Sequence, residues 1–339
     1  MMKEPIFKTT RKRRVRRKTI PHKIRRISIV MFLLILIFFH AISSFISGKA
    51  LYARSVRQVQ TELNGITTGM EQTYAKYINK SLIFDNDPEI IHLLQTPYAD
   101  IKSFKNLIAS QIQSDYQKIL TSLVSEYINI LDFYLVNTNG TIYCSKSKDM
   151  SGKNIAKQGY FYQIIDGRDY VIDDLKYFSH LKKNGFIIST PITYHKETVG
   201  VAVTILSTDT FDSIIKLINI INAKYYVTDS RGNIVYSANK SEVATAYPEN
   251  KMRNISMPFV HDDTDIQQIS LDDGQYLIKE ATLPSSGWVI RNLTDIRTIT
   301  NALLVQNGIL FSFIILSCTL GTYVTKIICK PFCRSIQEP

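Results

Sequence analysis

The sequence predicts an α+β protein in which a long helix leads into two tandem antiparallel-sheet modules, the whole flanked by two transmembrane helices. Three observations predict it. Two uncharged apolar runs, 27–48 and 298–325, stand near the ends of the 339-residue chain. A strand–turn–strand segment recurs at an offset of 92 residues. Between the first apolar run and the first copy of that segment, apolar residues keep helical spacing.

The charge separates these parts. Hydrophobic residues make up 45% and charged residues 21% of the chain, which excludes a disordered tail and a disulfide miniprotein. The formal net charge of +12 suggests nucleic acid until it is located. Residues 1–26 hold 12 Lys/Arg and one acid, Glu4, so the remaining chain sums to only +1. The block sits directly before the first apolar run, where membrane orientation and contact with the lipid bilayer account for it; no nucleic-acid partner is expected.

The 22 residues from Ile27 to Gly48 span about 33 Å as a helix, enough for a hydrocarbon core of about 30 Å. The run is longer than a signal-peptide core and no small-x-small cleavage site follows it, so it reads as an uncleaved anchor. Residues 1–26 are then a basic cytoplasmic arm, 27–48 the first span, and 298–325 the second. Lys326, Lys330 and Arg334 place the tail, 326–339, back in the cytoplasm. The segment between the spans carries 26 basic and 27 acidic residues and is expected outside a bacterial plasma membrane. Cys144 is its only cysteine, which excludes an internal disulfide and argues against reading the sequons at Asn79, Asn139, Asn239, Asn254 and Asn292 as a glycosylated ectodomain. Cys329 and Cys333 in the tail have no accompanying His or Cys and read as reduced thiols.

Residues 49–128 read as a stalk and helical preface. Val56, Val59, Leu63, Ile66, Met70, Thr73 and Tyr77 alternate in steps of three and four, a heptad seam that suits pairing with a second copy through helix 56–77 or packing along the chain's own domain. Gly65 and Gly69 weaken that helix by about 1 kcal/mol each relative to Ala. Asp87-Pro88-Glu89 is a helix start, and a further amphipathic stretch runs over 102–127.

Strand chemistry follows. The first module, 129–221, opens with 130–136, the turn Asn139-Gly140 and 141–145; strands recur at 186–192 and 198–206, and 211–221 reads as a helix. The second module, 222–297, starts with the repeat. Tyr226 through Ser237 align without gaps on Tyr134 through Ser145. Further strands are expected at 266–271, 275–283 and 287–293, the last containing Trp288, the sole tryptophan.

In order and spacing these motifs resemble the double Cache domain, the PAS-like extracytoplasmic sensor of bacterial histidine kinases and chemoreceptors. The residues carrying the likeness are the long helix, Asn137-Thr138-Asn139-Gly140, Ser151-Gly152-Lys153-Asn154-Ile155, Gly159-Tyr160-Phe161, Ile188-Ser189-Thr190-Pro191-Ile192, Val199-Gly200-Val201-Ala202-Val203 and Ser286-Gly287-Trp288-Val289, over about residues 50–295. The resemblance implies a membrane-distal first module that holds a ligand between its sheet and the loops after its helix. The amino-acid-binding subgroup uses an Arg before the aromatic pair and an Asp on the strand after Val-Gly; here Gln158 and Thr204 stand at the resembling places. Without that charged pair an α-amino acid is disfavoured. What remains is Tyr143, Ser145, Tyr160, Tyr162, Tyr177 and Ser189, with Asp173 and Asp174 nearby, a set that suits a sugar or another small neutral polar solute from outside the cell. The alternative is that these aromatics fill the core and the module only relays or dimerises.

No catalytic residue, cofactor or metal is expected. The chain has no phosphate loop, dinucleotide fingerprint, HExxH or GxSxG, and His22, His40, His92, His180, His195 and His261 lack ligand spacing. Asp262, Asp263 and Asp265 read as a solvated turn, and His40 as a helix-interface residue. Lys330-Pro331-Phe332 resembles the start of a HAMP linker, and 14 residues follow Thr325, too few for one. The expectation is the input half of a histidine-kinase-type sensor whose output domain is absent. Alternatives are a fragment of a chemoreceptor or of a membrane-anchored transcription regulator, or an envelope protein that binds a solute and signals nothing.

Overall fold

The structure, a computed structural model, describes residues 13–103, 105–126, 129–218, 223–249, 252–255, 266–271 and 273–335. The basic arm up to residue 12, His261, the acidic cluster 262–265 and the helical expectation over 219–221 lie outside them, as do the side chains of His22, Cys329 and Cys333.

Two units make up the chain, one of helical ends and one holding the sheets. In the first unit, the N-terminal part of α1 (Arg13–Ser81) and α7 (Ile296–Ser335) are long and apolar enough to cross a membrane. They touch through polar and small residues. Ser44 Oγ donates to Asn307 Oδ1 (2.7 Å), Gln306 Nε2 donates to Ser47 Oγ (2.8 Å), and Gly48 admits Leu303. Hydroxyl and amide groups that pair across two helices need no water, while Phe32, Leu34, Phe38, Leu304 and Phe313 face outward. His40 is half-buried, and its Nδ1 has no hydrogen-bond partner among the described residues.

In the second unit the rest of α1 lies along both sheets. Its buried residues are Val59, Leu63, Ile66, Met70, Tyr74 and Tyr77, spaced 4, 3, 4, 4 and 3, the period of a straight helix on its own core. Of the two uses the seam suited, packing along the chain's own domain is the one these residues serve here. Tyr74 takes the place given to Thr73, and the stripe packs inside the protomer. The glycines have a packing role. A Cβ on Gly69 would come within 2.8 Å of Ile214 Cγ2 on α6 (Asp212–Ile218), and Gly65 faces Ile218 of the same helix.

Asp87 caps α2 (Pro88–Gln95), its Oδ1 accepting from Glu89 N and Ile90 N at 2.9 and 3.2 Å. Then come α3 (Tyr98–Lys102) and α4 (Leu107–Glu126). The first sheet holds β1 (Ile130–Asn137), β2 (Ile142–Ser145), β3 (Val171–Phe178), β4 (Lys183–Tyr194) and β5 (Glu197–Ser207) in the order 2-1-5-4-3, with α5 (Gly159–Ile165) before β3. β3 is the strand the pattern hid. Asp173-Asp174 interrupts its apolar run, which an edge strand tolerates because one flank faces water. The second sheet holds β6 (Lys224–Thr228), β7 (Ile234–Ser237), β8 (Arg253–Asn254), β9 (Gln267–Leu271), β10 (Gly274–Thr282) and β11 (Val289–Asp295) in the order 7-6-11-10-9-8.

The repeat is structural. Tyr134 pairs with Ser145 and Val136 with Ile142 across a bulge; 92 residues on, Tyr226 pairs with Ser237 and Thr228 with Ile234 across the same bulge. The loops repeat as well. Gly152 N donates to Ile142 O and Ala244 N to Ile234 O, both at 2.8 Å.

Candidate functional site

Alternation along the strands gives the first sheet two faces. One, with Phe133, Leu135, Phe186, Ile188, Ala202 and Leu206, packs with α1 and the preface helices. The other, with Tyr134, Val136, Ile187, Val201, Val203 and Ile205, is covered by α5 and its loops through Tyr160, Phe161 and Ile164. Polar groups interrupt this second core, and burying them is costly unless each finds a partner.

At the centre is Asp132, fully buried. Its carboxylate accepts from Phe133 N (2.8 Å), Ser145 Oγ (3.2 Å) and Ser147 N (3.4 Å), and His180 Nε2 stands 3.5 Å from Oδ2. The same His180 nitrogen lies 2.9 Å from the Tyr134 hydroxyl. Tyr160 closes the far side from α5. Lys176 reaches over its ring, 5.1 Å from the centre, and ion-pairs with Asp173. Burial, and secondarily the charges of Asp132 and Asp173, hold the Tyr134 and Tyr160 hydroxyls above the ordinary phenol range, so both stay neutral. Ser189 Oγ, on β4 beside this cluster, is buried and has no hydrogen-bond partner among the described residues.

Of the ten residues expected from the sequence, the structure brings together Ser145, Tyr160, Asp173 and Ser189. Tyr143 turns to the α4 side, where its hydroxyl donates to Thr96 O at 2.5 Å. Thr204 pairs with Phe133 and Ile188 and lies buried on the α1 face, because it is one step from Val203 and from Ile205 in an alternating strand. Thr204 therefore does not line the α5 face. Gln158, Tyr162 and Tyr177 are exposed, the last two at 62% and 64%. Asp174 points away from the cluster, to the second module. The sequence reading missed Asp132, Tyr134, Lys176 and His180. Tyr134 and Asp132 share a strand parity with Ser145, which pairs with Tyr134 from β2, and that parity was the available signal.

An open cleft of about 640 Å³, bordered by Gln163, Arg168, Tyr170, Asp173, Ser230 and Ser285, lies beside β3. Among the described residues no group of three or more His, Cys, Asp or Glu is placed to hold a metal ion. Cys144 faces α4, and burial pushes its thiol up to about 12.

The Cache domain family model matches residues 52–302. Among solved structures, the sensor domain of the V. cholerae histidine kinase DctB is similar, with a TM-score of 0.55 at 16% identity, over 72% of this chain and 98% of that one. The ligand-binding domain of the Campylobacter jejuni chemoreceptor Tlp3 in complex with L-valine has a TM-score of 0.51 at 14% identity, over 75% and 98%. The same domain with L-norvaline gives 0.51 at 15%, over 74% and 94%. At these identities the likeness is one of fold. Comparison with curated proteins finds no match.

Proposed function

Because this chain belongs to the Cache domain family, we propose that it is the signal-input part of a two-pass bacterial plasma-membrane receptor, of the kind that serves a histidine kinase or chemoreceptor. Both termini lie in the cytoplasm and 49–297 outside, as the basic block before the first span and the near-neutral segment after it require. A small solute binds in the first module, between the sheet and α5, and its binding is transmitted through the two membrane helices. One observation carries the binding site. Asp132, Tyr134 and His180 are joined on the α5 face of the sheet, and on the same face, across β5 from Tyr134, Ser189 has a buried hydroxyl with no partner among the described residues. A solute oxygen or amide there would supply one.

The solute is neutral and polar, as a sugar is. An anion would meet the buried Asp132 carboxylate, and Lys176 is already paired with Asp173. That ion pair favours one second reading, a zwitterion whose ammonium and carboxylate divide Asp173 and Lys176 between them; the C. jejuni Tlp3 structures hold amino acids. A thermal-shift screen of sugars, polyols, carboxylates and amino acids against segment 50–297 separates the two. A specific rise in Tm with a neutral solute, absent in Ser189→Val, is expected. A rise with an amino acid, lost on Asp173→Asn, would establish the second reading.

A further inference from the structure

We propose that Asp174 is the joint through which the first module's binding face acts on the second module, on α1 and on the strand that leads into α7. The inference rests on the reading of that face as the binding site.

Asp173 and Asp174 are consecutive on β3, so they project to opposite faces. Asp173 faces the cluster and pairs with Lys176, whose ammonium lies over Tyr160. Asp174 faces the second module, and four donors from that module converge on it. Oδ1 accepts from Ser230 N at 3.1 Å and from Trp288 Nε1 at 3.2 Å. Oδ2 accepts from Ser230 Oγ at 2.5 Å and pairs with Arg231 Nε at 3.2 Å. Arg231 continues to Leu175 O, one residue further along β3, at 2.8 Å. Four donors held by one carboxylate fix where the 229–232 turn and Trp288 sit.

Trp288 connects the joint to the helices. It is fully buried, with its ring edge-on to Phe186 of the first sheet (5.2 Å) and to Tyr74 of α1 (6.3 Å). It directly precedes β11, which runs without a linker into α7 at Ile296. The strand bearing Asp174 can move. β3 is the edge of its sheet, bonded on one side only, and its pairing with β4 shifts register between Asp173 and Lys176. A solute that rearranges the Asp173–Lys176 pair acts on the irregular part of β3, and Asp174 shares that backbone. Two arrangements of this strand with different solute affinity are all the transmission needs.

Trp288 is the only tryptophan, so its emission reports the joint alone. The test uses the full chain in lipid nanodiscs and needs no ligand. Lys176→Met releases Asp173 on the binding face, in the wild-type background and in Asp174→Asn, whose amide turns donors toward Ser230 Oγ and Arg231. The expected result is a red shift and stronger acrylamide quenching of Trp288 on Lys176→Met in the wild-type background, and no further shift in Asp174→Asn. An equal shift in both backgrounds, or none in wild type, overturns the proposal. If Asp174→Asn does not fold by circular dichroism, Ser230→Ala, which removes one of the four donors, is expected to weaken the shift, and an undiminished shift overturns the proposal. A purely structural role for Asp174 would lower Tm without removing this coupling. Failure of every solute in the thermal-shift screen counts against the binding site and leaves the Lys176→Met arm able to decide on the joint.

Discussion

The two modules build the same loop with different residues, and that difference sets opposite signs on two substitutions. Gly152 in the first module has φ +84°, and its counterpart Ala244 in the second has φ +70°. An L-residue in this left-handed region costs about 1–2 kcal/mol, offset by about 0.5–1 kcal/mol because alanine has less freedom to lose from the unfolded chain than glycine. Ala244 is exposed, so Ala244→Gly relieves the strain with little lost packing and is expected to stabilise by about 0.5–1 kcal/mol. Gly152→Ala takes on that strain, and its Cβ would stand 2.7 Å from Tyr98 Cε1. Tyr98 packs edge-on against the buried Tyr143 and has little room to yield, so overpacking of about 1–3 kcal/mol is added. The expected loss is about 2–3 kcal/mol. Urea unfolding of segment 50–297, followed by Trp288 emission, reads both. With a slope of roughly 3 kcal/mol per molar, the midpoint falls by about 0.7–1 M for Gly152→Ala and rises by about 0.2–0.3 M for Ala244→Gly. A destabilised Ala244→Gly, or a Gly152→Ala within 0.1 M of wild type, would refute the equivalence of the two loops.

Other outcomes follow from the same structure. Arg291 stacks on Tyr247 (4.4 Å) and donates to Thr228 (2.6 Å) and Glu280 (2.7 Å), so Arg291→Met is expected to cost about 1–2 kcal/mol in calorimetry, discounted because Glu280 and Glu249 are half-exposed or more and can hydrate. The Cys144 thiol, raised by burial to about 12, stays protonated in the folded state while the unfolded thiol ionises near its ordinary value of about 9. Folded stability therefore falls as pH rises from about 9 toward 12, and Cys144→Ala should show a shallower fall in Tm over that window. Leu63→Cys is expected not to cross-link between copies, since Leu63 is buried in its own protomer; efficient cross-linking would restore the dimer seam. In intact cells an impermeant thiol probe should label Met150→Cys and not Thr10→Cys, in a background without the native cysteines; the reverse pattern would invert the topology.

The fold was legible where local chemistry and tertiary context agree. The turn Asn139-Gly140 and its repeat at Arg231-Gly232 mark both hairpins because positive φ is needed there, and Asp87-Pro88 marks a helix start through backbone chemistry alone. β3 was not legible, since its two acids serve different partners on opposite faces and spoil the apolar pattern. The heptad reading of α1 placed the buried stripe correctly at Val59, Leu63, Ile66, Met70 and Tyr77 and missed Tyr74, because 3.5 and 3.6 residues per turn diverge by only about one position over 56–77. Six of the ten expected residues lie apart from the Asp132 cluster, two of them for a similar reason. Tyr143 and Thr204 lie one residue from positions on the α5 face, and a single step along a strand moves a side chain through the sheet. His180 and Lys176, from the turn after β3 and the strand itself, reach the cluster through long-range packing that spacing does not encode.

The central claim is that the solute binds on the α5 face of the first sheet. Isothermal titration of the best solute from the screen into four variants of segment 50–297 tests it most directly. Ser189→Val and Tyr160→Ala, on that face, should weaken binding at least tenfold, about 1.4 kcal/mol. Thr204→Val, on the α1 face, and Tyr162→Ala, exposed on α5, should bind within twofold of wild type. Wild-type affinity in Ser189→Val and Tyr160→Ala, with binding lost in Thr204→Val, would contradict the account.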